Sequence, residues 1–149
     1  MTHSTDYSTE QLQQVHASVT GFFQDVGGEL LAYGPSHATL ALVLLPRHLN
    51  NASNMHGGVM ATLMDVAMGL SGTWECDPAE RRVAMTLSMS ISFSAAARAG
   101  SRVRALARCR SAGHKVFMAS CDLLDEQDRL IAFGEGVFKR GARRRELPA

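Results

Sequence analysis

The sequence predicts an α+β fold in which one long antiparallel sheet wraps around a single central helix. Three observations carry this. Between Arg47 and Glu75 the chain is apolar, small or neutral polar except for one full charge, Asp65, and Val59, Met60, Leu63, Val66, Ala67 and Leu70 recur there at helical spacing; a helix with so little charge is expected to pack against a sheet. From Val83 onward come four strand-like stretches, the first two alternating polar and apolar residues, the period of half-buried strands. Three of those stretches follow one another through short turns, which imply antiparallel pairing.

Taken in order, Met1 to Tyr7 reads as frayed chain. Ser8 with Gln11 three residues later fits a capping box, and Leu12, Val15, Val19 and Phe22 or Phe23 then mark a helix over about Thr9 to Gln24, ended by Gly27-Gly28. Glu29 to Tyr33 is a first short strand, Gly34-Pro35-Ser36 a turn, and His37 to Leu45 a second strand stopped by Pro46. A polar loop over 47–55 feeds the central helix, about 56–72, with Asn54 as the expected cap. Val83 to Ser94 alternates, with Thr86, Ser88, Ser90 and Ser92 on one face and Leu87, Met89, Ile91 and Phe93 on the other. Ser101 to Ser111 sets Arg102, Arg104, Arg108 and Arg110 against Val103, Ala105, Ala107 and Cys109; that Arg stripe is an outer face. Lys115 to Leu124 and Arg129 to Lys139 complete the sheet, and residues 141–149 form a basic, loose tail.

At 149 residues the chain is one domain. Fifteen basic residues against fourteen acidic ones indicate no general affinity for nucleic acid or an anionic membrane. Three cysteines without close spacing, Cys76, Cys109 and Cys121, fit buried thiols in a reducing compartment better than a disulfide framework. The N-terminus shows no signal-peptide pattern, and Gly, Asn, His and Asp interrupt the central run too often for a membrane span. The expectation is a cytoplasmic protein. No His-x-x-x-His or Cys-x-x-Cys pair suggests a metal, and no Gly-x-Ser-x-Gly elbow suggests a serine hydrolase.

Asp65 lies opposite the apolar stripe, flanked by Gly58, Ala61, Met68 and Gly72, so its carboxylate sits where another backbone can come close. It is either a structural Asp bonded across a helix interface or a reactive one. His56-Gly57-Gly58 opens the same helix. Glycines there are a plain turn, or they leave amide N–H groups open for an oxyanion. Gly57 and Asp65 are eight residues apart, roughly 12 Å along the axis, too far to act on one carbonyl within one helix. Two antiparallel copies about a two-fold axis would bring each Asp65 to the other's Gly57.

Asn50, His56-Gly57-Gly58, Leu63 and Asp65 within HGGVMATLMD, and Thr86 in the next strand resemble the signature of hotdog-fold acyl-CoA thioesterases of the phenylacetyl-CoA (PaaI-like) type, over about residues 35 to 140. The resemblance implies a helix wrapped by a sheet made continuous across a homodimer, with dimers pairing again, and active sites at the subunit interface. It implies Asp65 as nucleophile or general base and the Gly57 amide as oxyanion donor from the other subunit. Asn50, or its neighbour Asn51, would orient the thioester or water, His56 would brace the loop, and Thr86 would hydrogen-bond the water or carboxylate. Each has a plainer reading: a loop asparagine, a hydrogen-bonded structural histidine, a strand threonine.

Where relatives commonly carry a Pro after the long strand, this chain has Ala95-Ala96-Ala97-Arg98. Arg98, Arg47, His114, Lys115 and Arg143 to Arg145 are candidates for the coenzyme's phosphates, against the plainer reading of solvated charges. Gly58, Met64 and Met68 are candidate substrate contacts; the methionines, with Met60 and Leu63, suit an adaptable apolar pocket or simply the core. The expected activity is hydrolysis of an acyl- or aryl-CoA thioester, with coenzyme A part of the substrate and no separate cofactor. Two alternatives stand beside it: a dehydratase or hydratase on the same fold using His56 and Asp65, and a non-catalytic acyl-CoA-binding module.

Overall fold

A computed structural model describes residues 6–19 and 21–147. Two short helices, α1 (Thr9–Ser18) and α2 (Phe22–Val26), precede strands β1 (Glu29–Gly34) and β2 (His37–Val43). Helix α3 (Gly57–Ser71) follows, then β3 (Arg82–Phe93), β4 (Arg102–Ala112), β5 (Val116–Leu124) and β6 (Leu130–Arg143). The strands form one six-stranded sheet in the order β1-β2-β4-β5-β6-β3, and every pairing is antiparallel. Helix α3 packs on one face of it. This is the expected architecture, and among the described residues no helix is long and apolar enough to cross a membrane.

The core lies between α3 and the sheet. Leu63, Met64, Ala67 and Met68 have no exposed surface and meet Leu40, Leu42, Val103, Phe117, Leu123, Ile131 and Phe138. Each such Leu, Met or Phe contributes roughly 1.5–3 kcal/mol by leaving water. The buried stripe is rotated from the expected one toward Met64 and Met68, leaving Val59 and Val66 half-buried. Helix α3 meets β2, β4, β5 and β3 together, so its covered arc takes in Met64 and Met68 as well.

At the N-terminus the Ser8–Gln11 capping box forms, but the predicted helix over 9–24 divides. Gly21 takes a left-handed φ of 72°, which breaks the helical path and restarts the chain as α2; Thr20 lies outside the described residues, as do residues 1–5 of the predicted frayed start. Tyr7 is not frayed. It is buried, its N–H donates to the Tyr33 carbonyl at 2.9 Å, its hydroxyl donates to the Glu75 carbonyl, and burial pushes its phenol up to about 12. The tail also differs over residues 141–147; residues 148 and 149 lie outside the described residues. Strand β6 runs on to Arg143, and Arg143 and Arg145 both pair with Glu80, at 3.0 and 2.7 Å.

Strand β3 does not pair with β4, its neighbour in sequence, but with β6, and it forms one edge of the sheet. Thr86 pairs with Phe138 and Ser88 with Val137, so Leu87 is an extra residue, a β-bulge. Directly paired residues share a face. Thr86 therefore joins the buried Phe138 on the helix side, whereas Ser88, Ser90 and Ser92 face outward with Val137, Glu135 and Phe133. The expected single polar face of this strand is corrected by that one insertion.

Candidate active site

The loop before α3 is built by Asn50. Its Oδ1 accepts from the N–H groups of Ala52, at 2.9 Å, and Asn54, at 3.2 Å, and its backbone N–H donates to the Asn54 carbonyl. Asn50 thus shapes the turn, and Asn54 is not the helix cap. His56 is: its Nδ1 accepts from the Gly58 N–H at 2.8 Å. The cap falls here because the His56 backbone is extended and its N–H is held by the His48 carbonyl at 2.8 Å. His48 itself is buried, with Nδ1 accepting from the Leu45 N–H and Nε2 bonded to the Val26 carbonyl.

With Gly58 committed to the cap, the Gly57 N–H is left without an acceptor among the described residues. It is the first N–H of a fifteen-residue helix, where the dipole favours negative charge. The Phe93 ring lies beside it, so that a Cβ at Gly57 would meet the ring at 3.4 Å. Sequence periodicity gave no sign of that contact, because Phe93 comes there only through the course of β3 after the bulge.

Two turns along α3, Asp65 is half-buried, and Thr86 Oγ1 donates to its Oδ1 at 2.6 Å. The bulge at Leu87 makes this possible by aiming Thr86 inward. Thr86 holds one carboxylate oxygen, and among the described residues no hydrogen bond is made to Oδ2. Both residues line a cavity of about 330 Å³ between α3 and β3, bounded also by Val66, Gly69, Phe138 and Arg81. Arg81 is a residue that sequence reasoning missed. In the run Glu80-Arg81-Arg82 it reads as loop charge, yet it is 5% exposed.

The other candidates separate. Met64 and Met68 are wholly buried among core side chains, which places them behind the cavity wall and makes them packing residues in this chain. Gly58 is occupied by the His56 ring, 3.0 Å from where its Cβ would stand. The small-residue face is only partly open, since a Cβ at Gly72 would overlap the Phe117 ring, and Arg140 Nε donates to the Gly72 carbonyl at 2.7 Å, closing the C-terminus of α3. Arg98 is exposed on the loop after β3, next to Ala97, whose carbonyl accepts from the Met55 N–H at 2.7 Å. It therefore belongs to the Gly57 end. His114 and Lys115 stand at the other end of α3, around a basic pocket with Arg82, Lys139 and Arg140. Arg47 is exposed near the Val26 carbonyl. Among the described residues no three His, Cys, Asp or Glu side chains gather as metal ligands.

Comparison with known proteins fits this arrangement. The thioesterase superfamily model matches residues 52–132, more than half of the chain. A Pseudomonas aeruginosa protein provisionally named an esterase is 30% identical over 99 residues, covering 66% of this chain and 72% of its own. Among solved structures, the Escherichia coli PaaI protein of the phenylacetic acid degradation operon superposes with a TM-score of 0.77 at 19% identity, covering 90% of this chain and 94% of that one. A Streptococcus mutans protein solved bound to acetyl CoA gives a TM-score of 0.72 at 17% identity over 84% and 94%. With the helix, the sheet order and the family match together, the chain belongs to the thioesterase superfamily and has the hotdog fold of PaaI.

Proposed function

We propose that the protein hydrolyses an acyl- or aryl-CoA thioester to the free acid and coenzyme A. The observation that carries this is the division of labour along α3: an amide at Gly57 with nothing to bind, and a carboxylate at Asp65 held by Thr86 with one oxygen free. A thioester carbonyl needs a donor for its oxygen and a base or nucleophile for its carbon. Water's oxygen ends on the acyl carbon, the C–S bond breaks, and the thiolate leaves with a proton. Asp65 serves as general base toward water or attacks the carbonyl first.

The two groups lie two helical turns apart, roughly 12 Å, so the complete site needs a second copy, with its α3 antiparallel. Gly58, Ala61 and Asp65 remain exposed or half-buried to receive it. The same pairing runs the Gly57 end of one helix toward the Gly72 end of the other, which draws Arg98 of one protomer and the His114–Lys115 pocket of the other to one side for the phosphates. His56 Nδ1 is taken by the Gly58 N–H, which favours hydrolysis over a dehydratase role for that ring. The S. mutans protein's acetyl CoA supports the coenzyme as ligand.

Release of free thiol from a panel of acyl- and aryl-CoA thioesters tests the reading. Asp65→Asn is expected to lower kcat at least about a hundredfold with a smaller change in KM. Wild-type turnover by that variant would remove Asp65 from the mechanism, and retained acyl-CoA binding without any thiol release by the native protein would identify a binding module.

A further inference from the structure

The cavity that holds Asp65 and Thr86 has a second charged end that hydrolysis does not use. Arg81 stands just before β3, five residues from Thr86, roughly 16 Å of strand at about 3.3 Å per residue, and its side chain lines the same cavity. It is 5% exposed. One guanidinium nitrogen, Nη2, donates to Ser18 Oγ at 2.8 Å, while Nε is buried with no partner. No carboxylate lies within ion-pair distance of it among the described residues. The nearby acid, Glu80, is already taken by Arg143 and Arg145. Arg144 lines the cavity too; its N–H donates to the Arg81 carbonyl at 2.7 Å, and it has no acidic partner among the described residues.

A buried cation without an anion is strongly unfavourable unless something supplies one. A guanidinium is built for a planar carboxylate, and Arg81 meets only neutral oxygens, the Ser18 hydroxyl and, alongside it, the Tyr33 hydroxyl. From these observations we infer that Arg81, with Arg144, receives a carboxylate at the far end of the acyl group, so that the substrates are thioesters of dicarboxylic acids rather than of plain fatty acids. The inference rests on the thioesterase reading of Asp65 and adds the substrate class. Between the two ends Val66, Gly69, Val83, Ala84 and Phe138 make an apolar passage that suits the methylenes of such a chain. The carboxylate at Asp65 keeps a second acid from binding the wrong way round, since two anions would then face each other.

Steady-state kinetics on matched pairs provides the test: succinyl-, glutaryl-, adipoyl- and suberoyl-CoA, each against the methyl-ended thioester of equal carbon number. The native protein is expected to favour the carboxyl-ended member of at least one pair by about tenfold or more in kcat/KM. Arg81→Met is expected to depress kcat/KM for that member at least about fivefold more than for its methyl-ended partner. Equal turnover of both members of every pair by the native protein overturns the inference and leaves Arg81 as an anchor for α1 through Ser18, a result that does not depend on the variant folding. Thioether analogues of the same pairs, followed by calorimetry, separate this from the chemistry: tighter binding of the carboxyl-ended analogue, lost in Arg81→Met, upholds Arg81 even where no thioester is cleaved, and equal binding by the native protein refutes it.

Discussion

At the residue scale the candidate site depends on one hydrogen bond, Thr86 Oγ1 to Asp65 Oδ1 at 2.6 Å. Thr86 acts through Asp65, so it is a positioning residue. Thr86→Val keeps the shape and removes the donor; hydrogen bonds to charged groups contribute about 1.5–3 kcal/mol, so kcat should fall roughly tenfold to a hundredfold with little change in KM. Thr86→Ser should restore most of it, which a purely structural strand residue would not require, and steady-state kinetics on the three proteins checks both. Asp65 was legible in the sequence because a lone charge in an apolar helix stands out. Arg81 was not, since its burial depends on α1 and on the turn before β3, and a charged triplet between two elements carries no mark of either.

Helix α3 owes its start to a side chain that propensity ranks poorly as a cap. Asn54 is the better N-cap by type, but its N–H is held by Asn50 Oδ1 and its carbonyl accepts from the Asn50 N–H, so the Asn50 turn closes before the helix can begin. His56→Ala removes the cap and should destabilise the protein by about 1 kcal/mol, a fall of roughly 3 °C in Tm. Gly58→Ala should do the same, because its Cβ would press on the His56 ring at 3.0 and 3.3 Å. Thermal unfolding followed by circular dichroism checks the pair, and a Tm unchanged in both would show that the cap contributes nothing. Periodicity found α3 and all six strands within a few residues. It missed the bulge in β3, since serine at alternate positions looks like an unbroken strand whether or not one residue is unpaired.

On the scale of the whole molecule the single chain presents an unfinished edge. Met85, Leu87, Met89 and Phe93 of β3 are 47%, 56%, 37% and 56% exposed on a strand with a neighbour on one side only. Apolar edge strands of this kind are templates for another strand. The proposed dimer would cover it and join Asp65 to the opposite Gly57. Sedimentation should therefore give at least about twice the 16.1 kDa chain mass. Met85→Lys with Leu87→Lys should shift the protein toward monomer and reduce turnover about a hundredfold, the loss expected when catalytic groups are no longer held together. A fully active monomer would contradict the shared site. That the sheet surrounds one helix followed from counting elements; that β3 forms an edge did not, because its pairing with β6 skips over two other strands.

The extra residue at position 87 also divides β3 into two frames. Before it even-numbered positions, Ala84 and Thr86, look toward α3, and after it odd-numbered ones, Met89, Ile91 and Phe93, do so. The strand thus supplies the hydroxyl for Asp65 from one frame and the aromatic wall for Gly57 from the other. Removing a single residue there would leave each half able to pair with β6 yet put those two contributions out of phase, so the length of this strand is as much a part of the chemistry as any side chain on it.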